Sequence, residues 1–201
     1  MNVLEELGVR YGTDKAGHGY LPFYDSIFGE IRHSRVSLLE IGVLRGASLR
    51  MWRDYFPNGS IYGIDKEECY AVDEKRIKCF VGRQGSRRFL REVVEQVASL
   101  DIVIDDGSHR GKDSLVSFIE LWPHIQPGGW YVVEDALMMF KHRYTPPGTK
   151  TVMTYLSERY QQFFWQKTDV QEIHLMTFVE KGVLVAIKKS IDTSLKCLTE
   201  D

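Results

Sequence analysis

Five short runs rich in valine and isoleucine recur along the chain, each separated from the next by a segment of helical periodicity. The runs are Val36–Val43, Ser60–Asp65, Ile77–Gly82, Leu100–Asp106 and Trp130–Asp135, and several (LLEIGV, DIVID, YVVE) are apolar on both faces. Two-sided apolarity over so few residues is the pattern of strands covered above and below, as in a parallel sheet lined by helices. The segments Ser48–Phe56, Ser86–Val97 and Lys112–His124 are amphipathic, with Ser86 and Asp113 expected as helix N-caps and Pro127-Gly128-Gly129 as a breaker ahead of the fifth strand. Strand–helix alternation of this kind predicts a doubly wound α/β fold with right-handed crossovers. Toward the C-terminus, Val170–Val179 and Val183–Lys189 are separated only by Glu180-Lys181-Gly182, which is too short for a parallel crossover. They are expected to form an antiparallel hairpin, giving a seven-stranded, mostly parallel sheet with helices on both faces. Residues 1–35 read as a helical preface with a glycine-rich link, Tyr11–Tyr20, and residues 36–201 as the catalytic part of one domain.

Composition narrows the class. In 201 residues, 26 basic side chains nearly balance 28 acidic ones, so the charge pattern carries no footprint for nucleic acid. Hydrophobic residues make up 43% and charged residues 27%, values of a globular chain. No apolar run approaches the length of a membrane span, and MNVLEELGVR lacks the apolar stretch of a signal peptide. Cys69, Cys79 and Cys197 are odd in number and show no metal-ligand spacing, which fits reduced thiols and a cytoplasmic protein.

The first strand leads into Glu40-Ile41-Gly42-Val43-Leu44-Arg45-Gly46-Ala47-Ser48 and then a helix. Glycines at that point let backbone approach a ligand, and the helix start offers unpaired N–H donors. The second strand ends at Asp65, where a carboxylate can accept both hydroxyls of a ribose. A dinucleotide fingerprint requires a glycine where this chain has Leu44; the spacing E-x-G-x-x-x-G-x-S matches instead the loop of S-adenosylmethionine enzymes, which have no pyrophosphate to cradle. A plain glycine turn is the bland alternative. The third strand leaves through Gly82-Arg83-Gln84-Gly85-Ser86, and Gln84 is expected beside the adenine, with a solvent-facing turn as the alternative.

The fourth strand ends in Asp105-Asp106-Gly107-Ser108-His109 and the fifth in Glu134-Asp135. Neighbouring parallel strands bring these acids to one sheet edge, where like charges raise one another's pKa unless a cation intervenes. Oxygen ligands favour Mg²⁺, although caps and salt bridges at strand ends would use the same residues. Successive residues on a strand face opposite ways, so Asp105 and Asp106 are not expected to share a role. His109, just past Asp106, is suited to take a proton from an acceptor hydroxyl, with His142 in the irregular loop 141–151 as a weaker candidate.

Taken together, Tyr11-Gly12-Thr13-Asp14-Lys15, LLEIGV…GASLRMW, YGIDK, IDDGSH and PGGWYVVEDA resemble the metal-dependent class I S-adenosylmethionine methyltransferases of the macrocin and mycinamicin type, which methylate sugar hydroxyls in antibiotic assembly. The resemblance implies a Rossmann-like fold, S-adenosylmethionine and Mg²⁺ as cofactors, Asp106, Glu134 and Asp135 as metal ligands, and His109 as base. It adds Tyr11 and Thr13 to a cofactor set comprising Glu40, Gly42, Gly46, Ser48, Asp65, Gln84 and Asp105. The expected partner is a small-molecule acceptor, without nucleic acid or membrane, in a chain that can form a homo-oligomer. A nicotinamide-dependent oxidoreductase and a non-catalytic S-adenosylmethionine-binding module are the rival readings.

Overall fold

The computed structural model describes residues 1–68, 74–97, 99–166, 175–179 and 182–189. Three N-terminal helices, α1 (Val3–Tyr11), α2 (Asp14–Gly17) and α3 (Leu21–Phe28), precede the sheet. A reciprocal capping box starts α1: Glu5 N donates to Asn2 Oδ1 at 2.8 Å and Asn2 N donates to Glu5 Oε2 at 2.8 Å. Gly12, in the left-handed region at φ 66°, ends it. The chain then alternates β1 (Ser37–Ile41), α4 (Ala47–Tyr55), β2 (Ser60–Asp65), β3 (Ile77–Val81), α5 (Arg87–Val94), β4 (Leu100–Asp105), α6 (Gly111–Leu121) and β5 (Ile125–Val133). A helix α7 (Val152–Gln166) and the strands β6 (Leu175–Val179) and β7 (Gly182–Lys188) follow.

The strands form one seven-stranded sheet in the order β3-β2-β1-β4-β5-β7-β6. The first five run parallel, while β7 lies antiparallel to β5 and to β6, as the short connection required. The strand order reverses between β1 and β4, and ligands of open α/β sheets bind at the carboxyl ends flanking such a reversal. One apolar core joins α1, α3 and α4 to one sheet face through Leu4, Tyr24, Phe28, Trp52 and Phe56; the other joins α5, α6 and α7 to the opposite face through Leu90, Phe118, Trp122 and Val152. Two cores are what two-sided apolar strands need.

Some local expectations are corrected. Ser86 caps α5 as expected, its Oγ accepting from Phe89 N at 3.4 Å. Asp113 does not cap α6; Arg110 holds that position, and Asp113 sits in the first turn, accepting from Ser108 Oγ at 3.0 Å. Pro127-Gly128-Gly129 does not precede β5 but lies within it as an irregularity, since the register steps from Leu100↔Ile125 to Ile102↔Trp130. A Cβ on Gly129 would come within 2.5 Å of Asp101 O, which explains the glycine. Helix α7 begins where Thr151 and Thr154 cap one another, Thr154 N donating to Thr151 Oγ1 at 3.1 Å and Thr151 N to Thr154 Oγ1 at 2.8 Å. Residues 170–174 of the expected sixth strand, Cys69 and Cys197 lie outside the described residues, and Cys79 is half-buried.

Candidate functional site

The ends of β1, β2, β4 and β5 meet at the strand-order reversal. Gly42 follows β1 at φ 89°, and a Cβ there would stand 2.1 Å from Asp106 O, so only glycine permits this approach of two strand ends. Gly46, at φ 76°, starts α4 with no side-chain cap, leaving the first-turn N–H groups open to a ligand. Ser48 is buried in that first turn, and Thr13 is buried at the start of α2. Asp65 Oδ2 accepts from Val43 N and Leu44 N, both at 2.9 Å, and Oδ1 accepts from Glu67 N at 3.2 Å. That carboxylate therefore brackets the glycine loop and keeps lone pairs for a ribose.

Four non-glycine residues among those described have positive φ, and three of them lie here: Leu44 at 50°, His109 at 54° and Asp135 at 49°. Strained backbone of this kind concentrates at ligand sites. Leu44 adopts a glycine's conformation but carries a side chain that is 76% exposed.

The acids divide into two groups. Asp106, His109 and Asp135 each offer a ligand atom within 4.8 Å of the others, all three being partly exposed. Glu134, expected from the sequence as a ligand, is instead buried, with Oε1 accepting from Lys15 Nζ at 2.8 Å and from Tyr24 OH at 2.6 Å. The converging trio is made of Asp106, His109 and Asp135. Lys15 Nζ also donates to Asp106 Oδ2 at 2.7 Å and pairs with Glu40 Oε1 at 3.0 Å. Burial works to lower the Lys15 pKa, but Glu134, Glu40 and Asp106 outweigh it and hold the ammonium well above its usual range. Burial, reinforced by Asp106, pushes the Glu134 carboxyl up despite Lys15. Glu40 is fully buried and likewise raised by burial, against the lowering effect of Lys15. Tyr20 OH donates to Asp135 Oδ1 at 2.6 Å.

Three residues expected at the cofactor, Asp105, Gln84 and Tyr11, have partners within the protein. Asp105 points to the other side of the sheet, accepting from Gln84 Nε2 at 2.9 Å and from Tyr131 OH at 3.3 Å, and burial raises its pKa. Gln84 is buried in the same network: it also donates to Ser117 Oγ at 3.2 Å and accepts from Ser108 N at 2.5 Å. It ties the loop after β3 to the His109 loop. Tyr11 OH donates to Asp54 and lies 3.3 Å from Arg53 Nη2, at the far end of α4 from Gly46. The loop 141–151 does reach the site, with the Tyr144 ring centroid 6.4 Å from that of His109, while His142 is exposed.

Lys15, Tyr20 and Tyr24 were not expected from the sequence as contacts of the acids. A signal was present: four acids at one sheet edge need a cation, and Tyr20 and Tyr24 stand one helical turn apart.

The sheet order and the glycine loop at its reversal define a class I methyltransferase fold. Residues 39–136 match a family model described as a methyltransferase domain. It is 45% identical over 141 residues to mycinamicin VI 2''-O-methyltransferase of Micromonospora griseorubida, covering 66% of this chain and 35% of that protein. It is 44% identical over 141 residues to demethylmacrocin O-methyltransferase of Streptomyces fradiae, covering 66% and 36%. A solved structure of MycE methyltransferase from the mycinamycin biosynthetic pathway, in complex with Mg, S-adenosylhomocysteine (SAH) and mycinamycin VI, superimposes with a TM-score of 0.81 at 32% identity, covering 98% of this chain and 57% of MycE. The chain thus spans about a third of the length of these curated relatives. Among the described residues, no helix is long and apolar enough to cross a membrane.

Proposed function

We propose that this chain is an S-adenosylmethionine- and Mg²⁺-dependent O-methyltransferase acting on a sugar hydroxyl of a glycosylated small molecule. The observation that carries the reading is the convergence of Asp106, His109 and Asp135 beside a glycine loop that only Gly42 permits. The residues fit both groups. The buried Oε2 of Glu40, the oxygen not paired with Lys15, suits an ammonium-bearing cofactor, and the carboxylates of Asp106 and Asp135 suit a divalent ion.

S-Adenosylmethionine would supply the electrophilic methyl group, and Mg²⁺ positive charge that eases ionisation of an acceptor hydroxyl. The chain's own residues supply the rest. Gly42, Gly46 and the first turn of α4 receive the cofactor's backbone-facing side, and Asp65 accepts from its ribose while holding the loop. Asp106 and Asp135, the hard donors, hold the ion. His109, whose imidazole nitrogen can accept a proton, takes it from the acceptor hydroxyl. Leu137 and Phe140, exposed on the turn immediately after Asp135, offer an apolar flank for the non-sugar part of an acceptor.

Relatives are named as O-methyltransferases of mycinamicin VI, of demethylmacrocin and of a rhamnosyl tetracenomycin-C, which supports the acceptor class. The acceptor is a small molecule rather than nucleic acid or a membrane, and cytoplasmic location and self-association belong to the same reading. The nicotinamide alternative is disfavoured by Leu44, whose side chain stands where a pyrophosphate would require a glycine. The test is a transfer assay with methyl-labelled S-adenosylmethionine and a panel of glycosylated macrolides and polyketides. Label should appear on a sugar oxygen with Mg²⁺ and vanish with excess chelator. Transfer undiminished by chelator would remove the ion from the reaction, and label on carbon or nitrogen would overturn the O-methyl assignment.

A further inference from the structure

His109 stands at φ 54°, a left-handed conformation that a residue other than glycine keeps only where its surroundings over-determine it. The bonds that do so fall on the residues to either side. Ser108 N donates to Gln84 Oε1 at 2.5 Å, and Ser108 Oγ donates to Asp113 Oδ2 at 3.0 Å. Arg110 N donates back to the same Ser108 Oγ at 3.3 Å. One hydroxyl therefore spans the histidine and fastens its turn to the first turn of α6. Asp113 is free for this because it does not cap the helix, and its Oδ1 lies where a Cβ on Gly85 would stand 2.5 Å away. We propose that Ser108 and Asp113 are positioning residues for His109, holding the turn 108–110 so that the imidazole stays beside Asp106 and Asp135, where the acceptor hydroxyl meets it.

The inference rests on the reading of His109 as the base. A base must lie within hydrogen-bond reach of the proton it takes, and a displacement of about 1 Å can cost about 10²-fold in rate. A hydroxyl donating to a carboxylate makes a charge-assisted bond, stronger than one between neutral groups. The helix that carries Asp113 is itself fixed. Gly111 N donates to Thr145 Oγ1 at 3.2 Å, and a Cβ on Gly111 would come within 2.4 Å of Thr151 Cγ2. The start of α6 is thus an anchor for the turn rather than a partner that follows it. Gln84 holds the same turn through Ser108 N, but it leaves β3 in the loop expected beside the adenine, so a change there would disturb two loops at once. Ser108 and Asp113 carry no role toward the cofactor or the ion, which makes them the cleaner probes.

The test compares Ser108→Ala, Asp113→Ala and Asp113→Asn with wild type on the acceptor that takes label in the transfer assay. Glu120→Gln, which loosens α6 from α5 away from the turn, serves as the control for stability. Turnover is read with acceptor KM, SAH affinity by calorimetry, and amide hydrogen exchange over residues 106–112. Positioning predicts that both alanine variants lose about 10–100-fold in kcat, with KM and SAH affinity close to wild type and faster exchange across the turn. Asp113→Asn, whose amide oxygen still accepts from Ser108 Oγ, should recover most of the loss. Glu120→Gln should lower the thermal midpoint and leave kcat and exchange at the turn unchanged. If Asp113→Ala fails to fold, Ser108→Ala leaves α6 untouched and still decides. Turnover near wild type in Ser108→Ala, or Asp113→Asn no better than Asp113→Ala, overturns the inference alone. No transfer by wild type to any acceptor overturns the reading of His109 as base and the inference with it.

Discussion

Moving an ammonium group into a protein interior costs several kcal/mol unless charge and hydrogen bonds replace its water. Lys15 meets that condition with three carboxylates, from β1, the end of β4 and the end of β5, at 2.7–3.0 Å. His109 illustrates the opposite requirement. It is half-buried, held at φ 54° in the loop after Asp106, and touched by Tyr144. His109→Asn should leave the fold and cofactor affinity intact while lowering turnover by about 10²–10⁴-fold, since asparagine accepts a hydrogen bond but not a proton. Rate measurements from about pH 6 to 9 check this: the deficit should narrow as hydroxide rises, whereas near-wild-type turnover throughout would assign proton removal to another group. At this scale the sequence was partly legible. Alternation showed that Asp105 and Asp106 face opposite ways, and it is Asp106 that faces the ion trio. It could not show that Asp105 and Gln84 belong to an internal network, because their partners Tyr131, Ser108 and Ser117 are distant in the chain.

Elements are held by different means on the two faces. On the α5–α6 side, Glu120 of α6 accepts from Arg91 Nε at 2.7 Å and from Arg87. Burial tends to raise the Glu120 carboxyl, but the two guanidinium groups outweigh it and lower its pKa. A carboxyl depressed in the folded state contributes stability that is present above its unfolded value, about 4.3, and lost as pH falls through the folded one. Glu120→Gln should therefore lower the thermal midpoint at pH 7 by the equivalent of about 1 kcal/mol or less, the arginines being largely exposed. Melting curves taken across acid pH should show the deficit shrinking as pH drops below about 4; a deficit independent of pH would assign the effect to packing. Strands were legible as elements because Val and Ile on both faces leave few alternatives. The start of α6 and the course of β5 were not. Gly111 rather than Asp113 opens the helix because its N–H finds Thr145 Oγ1 at 3.2 Å, a contact across thirty-odd residues of chain. Pro127-Gly128-Gly129 is accommodated because Gly128 N and Gly129 O pair with Lys189, just past the end of the neighbouring β7.

Across the whole molecule, two cores cover one sheet, and the N-terminal helices on one face deliver Lys15, Tyr20 and Tyr24 to its carboxyl edge. The order of the sheet and the place of its glycine loop could be read from the chain in advance, since both follow from short-range pattern. The reach of residues 15–24 into the acid cluster could not, since it depends on how α1 and α3 pack over α4. The account's central claim is that the loop closed by Gly42 and Asp65 receives S-adenosylmethionine. Calorimetric titration tests it most directly, with S-adenosylmethionine and NAD each run against wild type and Gly42→Ala. The account predicts one S-adenosylmethionine per chain bound by wild type, no heat with NAD, and loss of binding in Gly42→Ala, whose Cβ would meet Asp106 O at 2.1 Å. Binding of NAD in place of S-adenosylmethionine, or unchanged S-adenosylmethionine affinity in a folded Gly42→Ala, would contradict it.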